Sequence, residues 1–302
     1  MPADLVPDPS KLGAIVQPPL ALLPDPERLF RRRAERLAHL ARNSRLAPYL
    51  HFLAALCEVQ GGLAAGSPSL PALPESRIAL ARESRMPPID RLALAAGDVL
   101  FPTLDALLDA AAAIEKPETA EAARVAVHDA DAETRRWLLA NVLSDDIPPE
   151  DAAPHLFVAA AVQVDLSRFA ATLDAERLVP IRTGVCPYCG GRPASSVVLG
   201  GARIEGARYA ACATCMTLWN EVRVKCLACG STKGIGYRAL GEEAVIKAEV
   251  CDACHSWVKI LYQNRDAGLE AIADDVASLG LDAVMRDSDW RRAGVNPFLV
   301  GF

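Results

Sequence analysis

The chain has 302 residues, of which 38 are Asp or Glu and 32 are Lys or Arg, so its formal net charge is −6. This length can hold two domains, one of them with a substantial hydrophobic core. No apolar window is long enough and free enough of charge to form a membrane-spanning helix, so the composition predicts no membrane insertion.

Residues 1–24 form a proline-rich segment that we expect to be extended or loosely docked. Pro18 and Pro19 interrupt its only apolar run, and no charged region precedes an unbroken apolar stretch, so it does not resemble a signal peptide. Cysteine is almost absent outside one later segment, and unpaired cysteines suit a reducing compartment. We therefore predict a soluble cytoplasmic protein.

Residues 25–180 are predicted to form a helical domain. Asp25, Pro26 and Glu27 have the order of an N-cap, a first-turn proline and an acid at the positive end of the helix dipole. Apolar residues follow at helical spacing from Leu29 onward. The basic run 31–33 is interpreted as a solvated face of this helix.

The rest of this domain is predicted to form a helical bundle. Helices are expected after Pro48 and over residues 89–96, 104–114, 119–127 and 131–143, with a Gly-, Pro- and Ser-rich linker at 61–74. The most hydrophobic run, 151–173, reads as the central helix, because Asp165 and Arg168 argue against a membrane span. We expect His155 to make a structural hydrogen bond and Cys57 to be a small buried hydrophobe.

Eight of the nine cysteines form four Cys-x-x-Cys pairs within one segment. Two cysteines separated by two residues can place both sulfurs on one side of a tight turn, and a second turn across a hairpin completes a tetrahedron of thiolates. The spacing groups them into two predicted metal sites. The first is Cys186, Cys189, Cys212 and Cys215, and the second is Cys226, Cys229, Cys251 and Cys254.

The two sites repeat at an offset of 40 residues between Cys186 and Cys226, which indicates one module duplicated in tandem over 181–222 and 223–265. Gly190 and Gly230 follow the opening pairs, where a positive φ lets amides point at the sulfurs. The segment 181–265 has 11 basic and six acidic residues, but eight thiolates on two divalent metals bring its charge close to neutral. We therefore expect no nucleic-acid partner.

Three other interpretations of the cysteines stay open. Disulfides would need an oxidising compartment, and thiol-exchange catalysis would need only one reactive pair. A purely structural metal is the strongest alternative, because most sites of four cysteines are closed. His255 follows Cys254 directly and is expected to lie beside the site or at the surface, since four cysteines already complete it.

Residues 266–302 are predicted to form a C-terminal helix, over 268–281, and a tail. The tail contains Trp290, Phe298 and Phe302, so it is expected to dock on its own domain or on a partner. No nucleophile–base motif or phosphate-binding glycine loop occurs anywhere in the chain. The fold class is therefore multi-domain, with a helical N-terminal domain followed by two small β modules of the rubredoxin or zinc-ribbon type. We predict no catalytic residues.

The last 120 or so residues resemble the formate dehydrogenase accessory proteins, the FdhE family. The resemblance is carried by CPYCGGRP from Cys186, RYAACATCMTLWNEVRVKCLACG from Arg208, AEVCDACHSWVKILYQ from Ala248, DDVASLGLDAVM from Asp274 and NPFL from Asn296. The N-terminal half resembles the family only as a helical domain of suitable length.

The resemblance implies a cytoplasmic protein needed for active respiratory formate dehydrogenase, acting on the catalytic subunit before the enzyme is exported. It implies rubredoxin-like modules with non-haem iron held by the eight cysteines, although tetrahedral sulfur suits zinc as well. CATC and CDAC lack the following glycine of a strict rubredoxin knuckle.

The preferred function is thus a non-enzymatic assembly factor for formate dehydrogenase. A rubredoxin-type electron-transfer protein, a metal-ribbon nucleic-acid binder and a redox-sensing holdase chaperone are the alternatives.

Overall fold

The computed structural model describes residues 17–66, 72–201 and 204–301. Most of the predicted proline-rich segment, part of the predicted linker and Phe302 lie outside these ranges. The α-helices are α1 (Pro26–Ala41), α2 (Ala47–Gly66), α3 (Glu75–Ser84), α4 (Arg91–Ala96), α5 (Phe101–Ala111), α6 (Glu118–Asp129), α7 (Ala132–Ser144), α8 (Ala152–Ala171), α9 (Ala273–Ala277) and α10 (Leu279–Arg286). The β-strands are β1 (Ala21–Leu22), β2 (Pro193–Val198), β3 (Arg208–Cys212), β4 (Leu218–Glu221), β5 (Ile235–Arg238), β6 (Ile246–Cys251), β7 (Ser256–Tyr262) and β8 (Arg291–Arg292).

Helix α8 is the centre of the helical bundle, as predicted. It is buried on every side from His155 to Ser167, and α2, α5, α6 and α7 pack around it. A helix without a continuous polar face must lie inside the core, since no side of it suits solvent. In the part of the chain that the structure describes, no helix is both long and apolar enough to cross a bilayer.

Helix α1 begins as predicted, with the Asp25 carboxylate accepting a hydrogen bond from the Arg28 amide at 3.2 Å. The interpretation of residues 31–33 as a solvated face is wrong at one position. Arg31 and Arg32 are exposed, but Arg33 is fully buried. Helical geometry places Arg33 on the same face as Phe30 and Leu37, which is the face that packs into the core.

The predicted linker is partly helical. Helix α2 continues through Gly61 to Gly66, because its tertiary contacts with α1 override the weak helix propensity of glycine. Helix α3 was not predicted. Only Ile78 and Ala81 of its residues are buried, so it lacks the apolar stripe that marks a helix in sequence.

A single mixed sheet of eight strands contains both predicted cysteine modules. Its order is β1-β4-β3-β2-β7-β6-β5, with β8 pairing β7. Strands β2, β3 and β4 belong to the first module, and β5, β6 and β7 to the second. The modules join where β2 pairs with β7 in parallel, with Val197 opposite Leu261. They therefore share a continuous backbone hydrogen-bond ladder.

The C-terminal segment docks on the helical bundle. Tyr49 Oη donates to the Phe298 carbonyl at 2.7 Å, and Phe298 is buried. The prediction of one helix over 268–281 is wrong in its bounds, because the structure has two helices there, α9 from Ala273 and α10 ending at Arg286. The Glu270 carboxylate accepts a hydrogen bond from the Ala273 amide at 2.7 Å. Glu270 therefore lies before the first turn of α9 and satisfies one of its free amides.

Candidate metal centre

All eight cysteines predicted from the spacing gather in two clusters, grouped as expected. Within each cluster the four Sγ atoms lie within 4.8 Å of one another. The Sγ–Sγ distance is 3.6 Å for Cys186–Cys215, 3.5 Å for Cys189–Cys212, 3.7 Å for Cys226–Cys254 and 3.8 Å for Cys229–Cys251. We call the set that contains Cys186 the first cluster and the set that contains Cys226 the second.

The sulfur positions fit a tetrahedral metal. Four thiolates about 2.3 Å from a central ion lie about 3.8 Å from each other, close to the separations in both clusters. A disulfide would need about 2.05 Å, and all nine cysteines are free. Zinc and iron both accept four thiolates in this arrangement.

Each Cys-x-x-Cys pair forms a turn closed by a residue with positive φ. Gly190 (φ +78°) and Gly230 (φ +80°) have this conformation after the opening pairs, as predicted. Met216 (φ +62°) and His255 (φ +51°) adopt it after the closing pairs without being glycine. The absence of glycine in CATC and CDAC therefore does not abolish the knuckle, although it adds backbone strain there.

Backbone amides in these turns point at sulfur. In the first cluster Cys212 Sγ accepts from the amides of Thr214 and Cys215, both at 3.4 Å. In the second, Cys226 Sγ accepts from Ala228 at 3.3 Å and Cys229 at 3.5 Å. Burial opposes ionisation of Cys226, but these amide donors, together with hydrogen bonds from Ser256 and Cys254, lower the pKa of that thiol to about 7.

The first cluster is enclosed between the sheet and the helical bundle. Burial raises the pKa of Cys186 and Cys215, whereas hydrogen bonds from the other thiols lower the pKa of Cys189. Four buried thiols at this density cannot all ionise unless a cation sits among them. A metal ion meets that requirement.

Arg91 supplies a second positive charge beside the first cluster. Its guanidinium contacts the Asp145 carboxylate at 2.9 Å and Thr214 Oγ1 at 3.5 Å. Burial works against its charged form, but the negative charges of Cys189 and Asp145 raise the pKa of Arg91 overall. It can therefore offset part of the excess negative charge of four thiolates.

The second cluster lies at the surface of the sheet. Cys226 and Cys251 are buried, but Cys229 and Cys254 are exposed. Ser256 Oγ lies 2.9 Å from Cys254 Sγ and 3.7 Å from Cys226 Sγ. The two clusters thus have the same ligands in different surroundings.

Comparison with known proteins identifies the family. Three family models, described as FdhE N-terminal, FdhE central domain and FdhE C-terminal domain, match residues 18–183, 185–223 and 224–299. A Protein FdhE homolog of Rhizobium meliloti (strain 1021) is 52% identical over 299 residues, covering 98% of both chains. The chain belongs to the FdhE family.

Other FdhE proteins are similar over nearly the whole chain. Protein FdhE of Escherichia coli (strain K12 / DH10B) is 35% identical, covering 99% of this chain and 96% of that one. The crystal structure of the FdhE protein from Pseudomonas aeruginosa matches with a TM-score of 0.83 and 33% identity, covering 94% of this chain and 99% of that chain. The helical bundle and the two-cluster sheet are therefore the FdhE fold.

Several polar residues of this FdhE fold support the first cluster and were not predicted. Gln163 Nε2 donates to the Ala213 carbonyl at 3.0 Å, inside the CATC turn. Arg33 lies 2.9 Å from Met216 Sδ and 3.2 Å from Gln163 Oε1. In the sequence, Gln163 stands out only as a polar residue in an apolar helical run, and this pattern does not predict which residue it contacts.

The other residues considered from the sequence are two histidines and the ninth cysteine. His155 contacts the Asp151 carbonyl at 2.7 Å and Asn141 at 3.1 Å, and burial lowers its pKa. Cys57 is buried in α2, where burial raises its pKa to about 12. His255 is exposed at the second cluster. The first two have the structural environments that the sequence predicted.

Proposed function

We propose that this chain is a non-enzymatic assembly factor for respiratory formate dehydrogenase that binds the immature catalytic subunit in the cytoplasm, before export. Membership of the FdhE family is the observation that carries this proposal. The fold is compatible with it, because the helical bundle contacts the sheet that holds both cysteine clusters. No nucleic-acid partner is proposed.

The eight clustered cysteines are proposed as the ligands of two metal ions, with no other cofactor. We favour non-haem iron, which the family resemblance suggests, over zinc. Bound iron would supply a one-electron couple that zinc lacks. The chain's own contribution is to hold two sets of thiolates in tetrahedral positions and to fix the sheet against the bundle.

The domain organisation is proposed in the same terms. The helical domain takes residues 25–180, and the two cysteine modules take 181–222 and 223–265. The segments 1–24 and 266–302 flank them. Because β2 and β7 pair in one sheet, we propose that the two modules meet a client protein as one body.

Affinity capture of the tagged protein from host cytosol tests the proposal. The intact protein should recover the formate dehydrogenase catalytic subunit. Variants with Cys186 and Cys189 changed to Ala, or Cys226 and Cys229 changed to Ala, show which cluster the client needs. Cys57→Ala is the matched control, since it removes a buried thiol outside both clusters. Recovery of nucleic acid instead of this subunit would contradict the proposal.

An electron-transfer protein is a second candidate, favoured by the exposed thiols Cys229 and Cys254. Sulfur at the surface shortens the path between a bound iron and a redox partner. This candidate requires a reversible iron couple and recovery of a reductase in the same capture.

A redox role within assembly has its own test, because zinc in place of iron should then abolish support of formate dehydrogenase activity. Unchanged support with zinc would leave the metals purely structural.

A further inference from the structure

The two clusters differ in how far a solvent molecule can reach them. In the first cluster the exposed fraction is 0% for Cys186 and Cys215 and 1% for Cys189 and Cys212. In the second, Cys229 and Cys254 are exposed while Cys226 and Cys251 are buried. Both clusters consist of four cysteines, so the difference in exposure comes from the residues that pack around each cluster and not from the ligand type.

The first cluster is closed by contacts from the helical bundle. The Ile89 amide donates to the Tyr188 carbonyl at 3.4 Å, inside the CPYC turn. On the other turn, Gln163 holds the Ala213 carbonyl at 3.0 Å. Gly190 lies so close to Pro87 that an added Cβ would be 3.0 Å from its ring. An incoming ligand could reach these sulfurs only after the bundle separates from the sheet.

The two exposed cysteines of the second cluster lie on different turns. Cys229 ends the opening turn and Cys254 ends the closing turn, at the β6–β7 hairpin. The neighbouring residues Ala228, Asp252 and Ala253 are exposed as well. Cys226 and Cys251 are buried, and Cys251 is the last residue of β6. Both outer ligands can therefore be displaced while two inner ligands still hold the ion.

We infer that the second cluster is the exchange site of this protein, where a soluble chelating ligand removes the metal by displacing Cys229 and Cys254. The first cluster keeps its metal as part of the core. The inference rests on the proposed metal occupancy. The chelator replaces Cys229 and Cys254 first and Cys226 and Cys251 afterwards, so four metal–sulfur bonds break while metal–chelator bonds form. Each sulfur keeps its electron pair, and the released thiolates take protons from water. No oxidant or reductant is required.

A chelator competition on the full-length protein tests this inference. The protein is loaded with two equivalents of zinc and mixed with excess 4-(2-pyridylazo)resorcinol, whose absorbance reports the transferred metal. One equivalent should transfer at least about tenfold faster than the other, because local opening at a surface is easier than separation of core elements. Transfer of both equivalents in a single phase would overturn the inference while leaving the proposed metal occupancy intact.

Thiol labelling shows which cluster loses its metal in the fast phase. It uses the unsubstituted protein, so it does not depend on whether a cysteine variant folds. Iodoacetamide is added when one equivalent has left, and labelled cysteines are located by mass spectrometry. Cys229 and Cys254 should be labelled and Cys186 and Cys189 should not. Labelling of the first cluster at this point would overturn the assignment. A protein that takes up no metal at all would instead refute the proposed occupancy on which the inference rests.

Discussion

The guanidinium of Arg33 forms a two-point ion pair with the Glu270 carboxylate, at 3.1 and 3.2 Å, across 237 residues of sequence. The exposed fraction is 0% for the Arg33 side chain and 7% for that of Glu270. Arg33 also contacts Met216, the residue that closes the CATC turn. This pair therefore links α1, the segment before α9 and the first cluster.

Arg33→Ala is expected to lower the free energy of unfolding by about 3–5 kcal/mol. The reason is that Glu270 would remain buried without its partner charge. Urea unfolding of the metal-loaded protein measures the change. Arg31→Ala is the matched control on the same helix. Arg31 pairs with Glu27, and their side chains are 64% and 56% exposed. Removing this pair should therefore lower the free energy of unfolding by less than about 0.5 kcal/mol. Equal losses in the two variants would contradict the structural role of Arg33.

Asp165 is expected to make the protein less stable as pH rises from about 4 to 6. Burial raises its pKa to about 6, although the Thr103 hydroxyl donates to it at 2.8 Å. The folded state thus binds a proton more tightly than the unfolded state in this window, so stability falls until the carboxyl is fully ionised. Asp165→Asn removes that loss. Because Asn also loses the ion pair with Arg168 at 3.7 Å, the gain over the parent protein should be only about 1–2 kcal/mol at pH 7 and little at pH 4.

Denaturant unfolding of both proteins across this pH range gives the difference, in which the titration of other groups cancels. Asp131→Asn, measured at pH values below this range, is a control of opposite sign. The Thr134 amide donates to Asp131 at 2.8 Å and lowers the pKa of that exposed carboxyl. Its contribution is present at neutral pH and is lost as pH falls through the lowered pKa. A flat difference for Asp165→Asn would contradict the predicted titration.

The sequence predicted those features that depend on neighbouring residues. The grouping of Cys186 and Cys189 with the CATC pair across a hairpin follows from the spacing of two tight turns. The start of α1 follows from Asp25 and Pro26. Both depend on local geometry that a few residues determine. The burial of α8 was predictable for a related reason, since an apolar run of that length has no polar face.

Features that depend on distant partners were not predicted. Arg33 appeared to be one of three solvated arginines because Glu270, which pairs with it, is far away in sequence. The parallel pairing of β2 with β7 joins the two modules, and no local signal encodes it. The positive φ of Met216 and His255 was not predicted either. The turn that follows each Cys-x-x-Cys pair imposes it, although residues other than glycine disfavour this conformation.

His255→Gly is expected to stabilise the metal-loaded protein by up to about 1 kcal/mol. A left-handed conformation costs a non-glycine residue about 1–2 kcal/mol, partly offset by the extra flexibility of glycine in the unfolded chain. Denaturant unfolding measures the gain, and metal analysis should still find two equivalents. His255→Ala keeps the strain and should show no gain. Loss of one equivalent in both variants would mean that the imidazole is a ligand, against the four-cysteine assignment.

Arg91→Leu is expected to weaken metal binding at the first cluster by about 10- to 100-fold. Arg91 is the cation whose charge is coupled to Cys189 and Cys212, and its removal leaves the negative charge of four thiolates less compensated. A competition titration measures the affinity in a Cys229→Ser, Cys254→Ser background, where only the first cluster is complete.

Two variants separate the effect of charge from the effect of packing. Arg91→Lys keeps a cation near Cys189 but loses the two-point contact with Asp145, so metal affinity should fall less than in Arg91→Leu. Arg136→Leu removes an arginine whose partner, Asp98, is exposed, and should leave the affinity unchanged. If Arg91→Leu lowers only the free energy of unfolding and not the metal affinity, Arg91 is an anchor between α4 and the CATC turn and not an electrostatic support of the metal.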